Sequence, residues 1–212
     1  MRAYLDLLND IIENGHLHED RTGVGRISVF GRMIRFNLKE GFPLVTSRKI
    51  FTKALIEEML WFIKGDTNVN NLNANGVKIW DNWTLRKEHV DGIREKISNT
   101  EANYWLLASM EGMAEKAVDT IGPMYGYVWR HSLSGVDQLE QLIKNLKEKP
   151  YSSRHVVTAW VPELIPDENM SPQENIMMGR GALAPCHMMF QCFVKQPKDG
   201  GKPELSVLMY QR

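Results

Sequence analysis

The apolar positions of the chain change period several times, and each change marks an element. Between residues 2 and 13, Tyr4, Leu5, Leu8, Ile11 and Ile12 recur three and four residues apart and stop at Asn14-Gly15, which predicts an amphipathic first helix. From Arg26 to Leu38 the β-branched and aromatic residues Ile27, Val29, Phe30, Ile34 and Phe36 are interrupted by Gly31, so two strands joined by a tight bend are expected. Thr52 to Lys64 predicts a strongly apolar helix closed by Gly65. A further helix is expected over Val136 to Lys149, where Leu139, Leu142, Ile143 and Leu146 share one face and Pro150 follows. Three strands are expected at 155–160, 187–194 and 204–211, separated by Pro- and Gly-rich segments. The stretch 84–121 has helical character, with Trp105, Leu106, Leu107, Met110 and Met113 among charged neighbours, and reads as a surface excursion carrying no chemistry. No internal repeat, low-complexity tract or linker breaks the chain. The pattern predicts one α+β domain over 1–212, with a mixed β-sheet built mainly from the second half and flanked by helices.

Composition narrows the function more than the fold. The 212 residues are 43% hydrophobic and can bury a substantial core. The 26 basic and 26 acidic side chains balance, so overall charge argues for neither nucleic acid nor a membrane as partner, although local anion pockets remain open. No apolar run approaches the roughly 20 residues of a membrane span and the charged N-terminus lacks a signal-peptide core, which fits a cytoplasmic enzyme. Two cysteines are too few for a disulfide framework. On one strand, Cys186 and Cys192 would lie roughly 20 Å apart, so both thiols are expected to be free. The six histidines form no metal motif; His16-Leu17-His18 reads as surface and no metal is expected.

Candidate chemistry concentrates around Ala184-Pro185-Cys186-His187, which runs into the strand-like Met188 to Val194. A proline-flanked cysteine here is either a small buried apolar residue or a nucleophile. The second reading needs cations to converge on it, because positive charge and partial exposure favour a thiolate. Arg21, Arg154 and Arg212 are the candidates. In the 52–64 helix, Glu57 falls beside Lys53 and Lys64, while Glu58 falls at the margin of the Leu55, Met59 and Phe62 face. Glu58 is therefore either a helix-edge carboxylate reaching solvent or a carboxylate whose pKa is raised by apolar surroundings, suited to proton transfer. Arg21-Thr22-Gly23-Val24-Gly25 lacks both the phosphate-loop pattern and the third glycine of a dinucleotide fingerprint. Its arginine could still clamp a monophosphate. Trp80, Trp83 and Tyr125 are either core aromatics or a binding wall.

Eight motifs occur in order: Arg21-Thr-Gly-Val-Gly, Gly41-Phe-Pro-Leu-Val-Thr46, Glu58-Met-Leu-Trp61-Phe62, Gly65-Asp-Thr-Asn68, Ile79-Trp80-Asp81-Asn82-Trp83, Gly122-Pro-Met-Tyr125-Gly126, Ala184-Pro-Cys186-His187 and Tyr210-Gln-Arg212. Together they resemble thymidylate synthase over 1–83, 122–162 and 181–212, with 84–121 and 163–180 falling where that family varies in length. The resemblance implies a sheet-mediated homodimer. It also implies conversion of dUMP to dTMP, with 5,10-methylenetetrahydrofolate as donor of carbon and hydride and no metal. It makes Cys186 the nucleophile, Glu58 a proton relay through water, and Tyr125 and His187 members of the hydrogen-bond network. Arg21, Arg154 and Arg212 become phosphate contacts, Arg154 acting across the dimer interface. Ile79, Trp80 and Trp83 become folate contacts.

Two departures from the family pattern stand out. Where the family usually has Asp-Ser-Arg-Arg, this chain has Tyr151-Ser152-Ser153-Arg154; losing one charge-assisted pair should weaken anion binding by about 1.5–3 kcal/mol unless His155 compensates. Gly126-Tyr127-Val128-Trp129-Arg130 replaces the frequent Gly-Lys-Gln-Trp-Arg. The chain also ends at Arg212, before the family's pyrimidine-reading asparagine, sugar contacts and C-terminal lid, so a downstream segment beginning with Ser is expected as a partner. A dUMP or dCMP hydroxymethylase, and a non-catalytic fragment or assembly partner of a split enzyme, are the alternative readings.

Overall fold

The computed structural model describes residues 2–19, 23–98 and 117–212. Its contacts divide into two compact units, Met1–Thr52 and Lys53–Arg212. In the first unit, α1 (Arg2–Asn14) realises the predicted amphipathic period and is followed by the antiparallel pair β1 (His16–His18) and β2 (Arg26–Ser28). The second strand expected before Leu38 does not form: after β2 the backbone has no strand until a 3-10 turn at Leu38–Glu40. A strand exists only where its backbone finds a partner. Here the polar His-Leu-His segment, not the apolar Ile34–Phe36 run, supplies one.

The second unit starts with α2 (Thr52–Ile63), followed by α3 (Val69–Asn73), α4 (Lys87–Ser98) and α5 (Gly126–Arg130). Then come α6 (Gln138–Glu148), β3 (Val156–Thr158), α7 (Pro172–Met177), β4 (His187–Lys195) and β5 (Glu204–Gln211). The predicted long helices and the three late strands are present, slightly trimmed. Asp137 caps α6 by accepting from the Glu140 amide, which fixes its start one residue after the apolar Val136. The sheet runs β3-β4-β5, and every strand pairing among the described residues is antiparallel, so the mixed sheet expected from the sequence is not seen there. Of the 84–121 excursion, residues 99–116 lie outside the described residues. The described parts are 84–98, which contains α4, and 117–121; Leu85, Val90 and Ile121 in them are buried in the core.

Phe62 sits at the centre of that core. Its ring lies 5.5 Å from Trp61, 6.2 Å from Trp80, 4.8 Å from Tyr125 and 6.0 Å from Trp129, centroid to centroid. Trp129 in turn meets Phe190 of β4 edge-on at 5.8 Å, so one aromatic cluster joins α2, α5 and the sheet. Gly126 makes this possible, because the backbone of α5 lies directly on the Phe62 carbonyl and an added Cβ would occupy the same space. Gly126→Ala is therefore expected to lower stability by about 3 kcal/mol through overpacking. Gly76→Ala, where an added Cβ meets nothing and only the positive φ of 76° opposes it, should cost about 1 kcal/mol. Urea midpoints compare the two, and equal losses would contradict the close approach at Gly126.

Candidate active site

The site is built where α2, the turn after Ile79, the start of α5 and the head of β4 meet. Each element delivers one polar group. Along α2 the inward stripe is Ala54, Glu58, Trp61 and Phe62, whereas Leu55 and Met59 stay exposed. Glu58 thus turns further inward than its place at the edge of the apolar face suggests. Its Oε1 accepts a 2.8 Å hydrogen bond from the Trp80 indole N–H. Burial pushes the Glu58 carboxyl above the usual range, opposed by that hydrogen bond and by the charge of His187. The interaction with His187 brings the head of β4 within electrostatic reach of α2.

Tyr125 is the residue that connects the parts. It precedes α5 with φ 42° and ψ −107°, a conformation that side chains other than glycine rarely adopt. Such backbone strain costs of order 1–3 kcal/mol and persists only when the surroundings over-determine it. Here they do. The ring is buried, with Phe62 on one side and His187 5.8 Å away, and its Oη accepts a 2.9 Å hydrogen bond from the Cys186 amide. Burial, with the adjoining Cys186 side chain adding to it, pushes the phenol up to about 12, so the hydroxyl keeps its proton at neutral pH.

Cys186, just before β4, is exposed and free, while Cys192, six residues on and within the strand, is buried and free, its thiol pushed up by burial. The expected absence of a disulfide between them holds. The register of β4 against β5 shifts between His187 and Met189, a bulge at the strand's entrance that re-aims the residues before it. Arg212 closes around this turn: its amide donates to the Cys186 carbonyl at 3.1 Å, Nη2 to Ala184 at 2.9 Å and Nε to Pro185 at 3.4 Å, and its guanidinium lies 5.8 Å from the Trp160 ring centroid. One of the three predicted arginines is thereby brought to the turn that carries the thiol.

Arg21 lies outside the described residues. Arg154 precedes β3, where Val156 pairs with Gln191, so it sits roughly 20 Å along the sheet from Cys186. There it borders a surface cavity of about 300 Å³ with Asn145, Lys149 and Ser152. Nor does His155 replace the arginine missing at Ser153. Its ring is buried, with Nε2 within 3.0 Å of the Lys149 carbonyl and 3.1 Å of the Pro150 carbonyl, so it braces the turn rather than facing an anion.

Ile79 is exposed, Trp83 half-buried and Trp80 buried against Phe62 and Tyr125. The turn they share is fastened by Asp81 of the same motif and by Asn73, Thr84 and Arg86, which the sequence did not single out. Thr84 Oγ1 donates to the Trp80 carbonyl at 2.8 Å, and Asp81 accepts from Asn73 at 2.9 Å and pairs with Arg86 at 3.4 Å. Asp81 directly after a tryptophan, opening a 3-10 turn at Asp81–Trp83, was the available signal. Among the described residues no group of three or more His, Cys, Asp or Glu side chains could hold a metal ion, and no helix is long and apolar enough to cross a membrane.

A family model described as thymidylate synthase matches residues 2–212. The chain belongs to the thymidylate synthase family. Curated relatives named thymidylate synthase, from Francisella tularensis subsp. holarctica strains FTNF002-00 / FTA, OSU18 and LVS, are each 41% identical over 213 residues. The match takes in 100% of this chain and 64% of each relative, so the chain spans just under two thirds of their length. Membership of the family agrees with the α+β arrangement of helices and antiparallel sheets.

The raised carboxyl at Glu58 gives a pH test. In the native state it holds its proton to higher pH than in the unfolded chain, so its neutral form favours folding at low pH, and that contribution is lost as pH rises through the native pKa. Glu58→Gln should therefore leave stability unchanged below about pH 4 and raise the melting temperature at pH 8. A melting temperature lowered equally at both pH values would show that the carboxylate is stabilising where it lies.

Proposed function

We propose that the chain carries the catalytic thiol of an enzyme that methylates dUMP to dTMP, with 5,10-methylenetetrahydrofolate as co-substrate. The observation that supports this most directly is the meeting of Cys186, Tyr125, His187, Glu58 and Trp80 from four separate elements at one exposed thiol.

Uracil C5 is a poor carbon nucleophile and does not release its proton to a weak base. Addition of the Cys186 thiolate to C6 forms an S–C6 bond and moves the C5=C6 π pair towards C5 and O4, which makes C5 reactive; expulsion of the same sulfur later restores the double bond. Tyr125, protonated and bound to the Cys186 amide, holds the nucleophile's backbone and keeps a donor beside the ring. Glu58 accepts and returns protons through water, its raised pKa bringing it nearer to neutrality, where such transfer is most effective. His187 completes the hydrogen-bond network. Arg212 is directed to the nucleotide phosphate from beside the thiol, and Arg21 is assigned the same task.

Ile79, Trp80 and Trp83 would hold the folate. With the Trp80 N–H engaged by Glu58, the exposed Ile79 and the half-buried Trp83 ring offer the apolar surface that a flat heterocycle needs. When bound, the folate supplies the one-carbon unit and the hydride. Arg154, distant from Cys186 within one chain, is assigned to the phosphate site of a second subunit, which makes the working unit a homodimer.

The test uses the full-length protein with 5-fluoro-dUMP and methylenetetrahydrofolate. Fluorine cannot leave C5 as a proton does, so an adduct that survives denaturation is expected on Cys186, and with dUMP the products should be dTMP and dihydrofolate in equal amounts. Label on Cys192 would overturn the assignment of the nucleophile. A nucleotide one oxygen heavier than dTMP, with tetrahydrofolate released, would make the enzyme a hydroxymethylase instead. Glu58→Gln should lower kcat by about 10²–10⁴-fold.

The quaternary reading has its own outcome. Arg154→Ala and Cys186→Ala proteins, each inactive, should regain part of the wild-type rate after subunit exchange, because a hybrid dimer contains one intact site. No recovery after exchange has been verified by mass would place Arg154 outside the neighbour's phosphate site.

A further inference from the structure

The carbonyl groups of the Trp80–Thr84 turn show how it is kept in place. The Trp80 carbonyl accepts from the Trp83 amide at 3.0 Å and from Thr84 Oγ1, and the Asp81 carbonyl from the Thr84 amide at 3.4 Å. The Asn82 and Thr84 carbonyls are reached from a distant part of the sequence. Gln173 Nε2, on α7, donates to Asn82 at 3.1 Å and to Thr84 at 3.4 Å. One amide group therefore spans the turn, while Asn73 and Arg86 hold the Asp81 carboxylate.

The helix that carries Gln173 is unusually well fixed for six residues. Pro172 occupies its first turn, and Ser171 and Glu174 form a reciprocal capping box with hydrogen bonds of 3.2 and 2.7 Å. Asn175 is buried. Its Oδ1 accepts from the Asp167 amide at 2.7 Å and its Nδ2 donates to the Asp167 and Ser171 carbonyls at 3.0 and 3.1 Å. Ile176 and Met177 enter the core, so α7 cannot turn about its axis without exposing both. The Gly181 amide bonds the Leu164 carbonyl at 3.0 Å and closes the whole 164–181 segment on itself. A donor mounted on such an element holds its target more narrowly than one on a loose loop.

We propose that Gln173 is a positioning residue which, from outside the site, sets the Trp80–Thr84 turn and so the surface on which the folate lies. The proposal rests on the assignment of Ile79, Trp80 and Trp83 to the folate. Gln173 touches neither substrate nor reacting atoms. Its effect appears selectively in folate affinity, because the turn it holds carries the folate contacts, whereas Cys186, Tyr125 and Arg212 are held by their own hydrogen bonds.

In the full-length protein, Gln173→Met keeps the length of the side chain and removes the donor, and Gln173→Glu also turns an acceptor towards two carbonyls. Both should raise KM for methylenetetrahydrofolate about fivefold, the glutamate more, since a lost hydrogen bond corresponds to a factor of about 2–10. KM for dUMP should stay within about twofold of wild type, and amide exchange of peptides covering residues 80–85 should quicken without a matching fall in the unfolding midpoint. Gln173→Met with wild-type KM values and wild-type exchange would overturn the proposal. So would an equal rise in both KM values with lowered stability, which marks a general packing role. If the wild-type protein does not use the folate at all, the functional reading fails by itself, and exchange at residues 80–85 then decides whether the tie exists: unchanged exchange in Gln173→Met excludes it.

Discussion

The site depends on how closely residues 125 and 126 approach α2 at Phe62. Because Gly126 has no side chain, α5 can rest on the Phe62 carbonyl, and that approach brings the Tyr125 ring within 4.8 Å of the Phe62 ring. The strained backbone at Tyr125 follows from the same constraint: a chain that has to enter a helix at contact distance from another cannot also choose a relaxed φ. Once Tyr125 is fixed, its hydroxyl is the point to which the Cys186 amide bonds, and the turn entering β4 is tied to α2 through this phenol, beside the Trp129–Phe190 contact deeper in the sheet. The geometry of the candidate site is thus a by-product of core packing.

Electrostatics is layered onto that packing. Glu58 is held in surroundings that favour its neutral form, and Trp80, whose N–H donates to it, is wedged against Phe62 and Tyr125. The pKa values of Glu58 and Tyr125 are both raised by burial more than by any charged partner. Positive charge arrives separately, from Arg212 at the end of β5, where its side chain and amide embrace the turn that presents the thiol.

Elements governed by local pattern were legible in the sequence. The 3.6-residue period of α1, α2 and α6 and the positions of strands β4 and β5 survive in the structure nearly to the residue. The capping box ahead of α7, Ser171-Pro172-Gln173-Glu174, was equally readable but lay in a stretch regarded only as variable. Features set by tertiary partners were not legible. Nothing in Ile34 and Phe36 says that no strand will pair with them, and nothing in His155 says that its ring will be taken up by the Lys149 and Pro150 carbonyls. Of the candidate residues, Cys186, Tyr125, His187, Glu58, Trp80 and Arg212 lie on elements that meet at the head of β4. Arg154 stands apart, because antiparallel register, which no single motif encodes, carries it to the far end of the sheet.

The two thiols have a practical corollary. Cys186, in the turn just before β4, is open to solvent, whereas Cys192, within the strand, is enclosed. Electrophilic reagents therefore find one receptive sulfur among these residues without any engineering. A fluorophore, spin label or mass tag of modest size attaches beside Tyr125 and His187 by default, and the protein comes with a built-in address for spectroscopy at the place where its chemistry is proposed to occur.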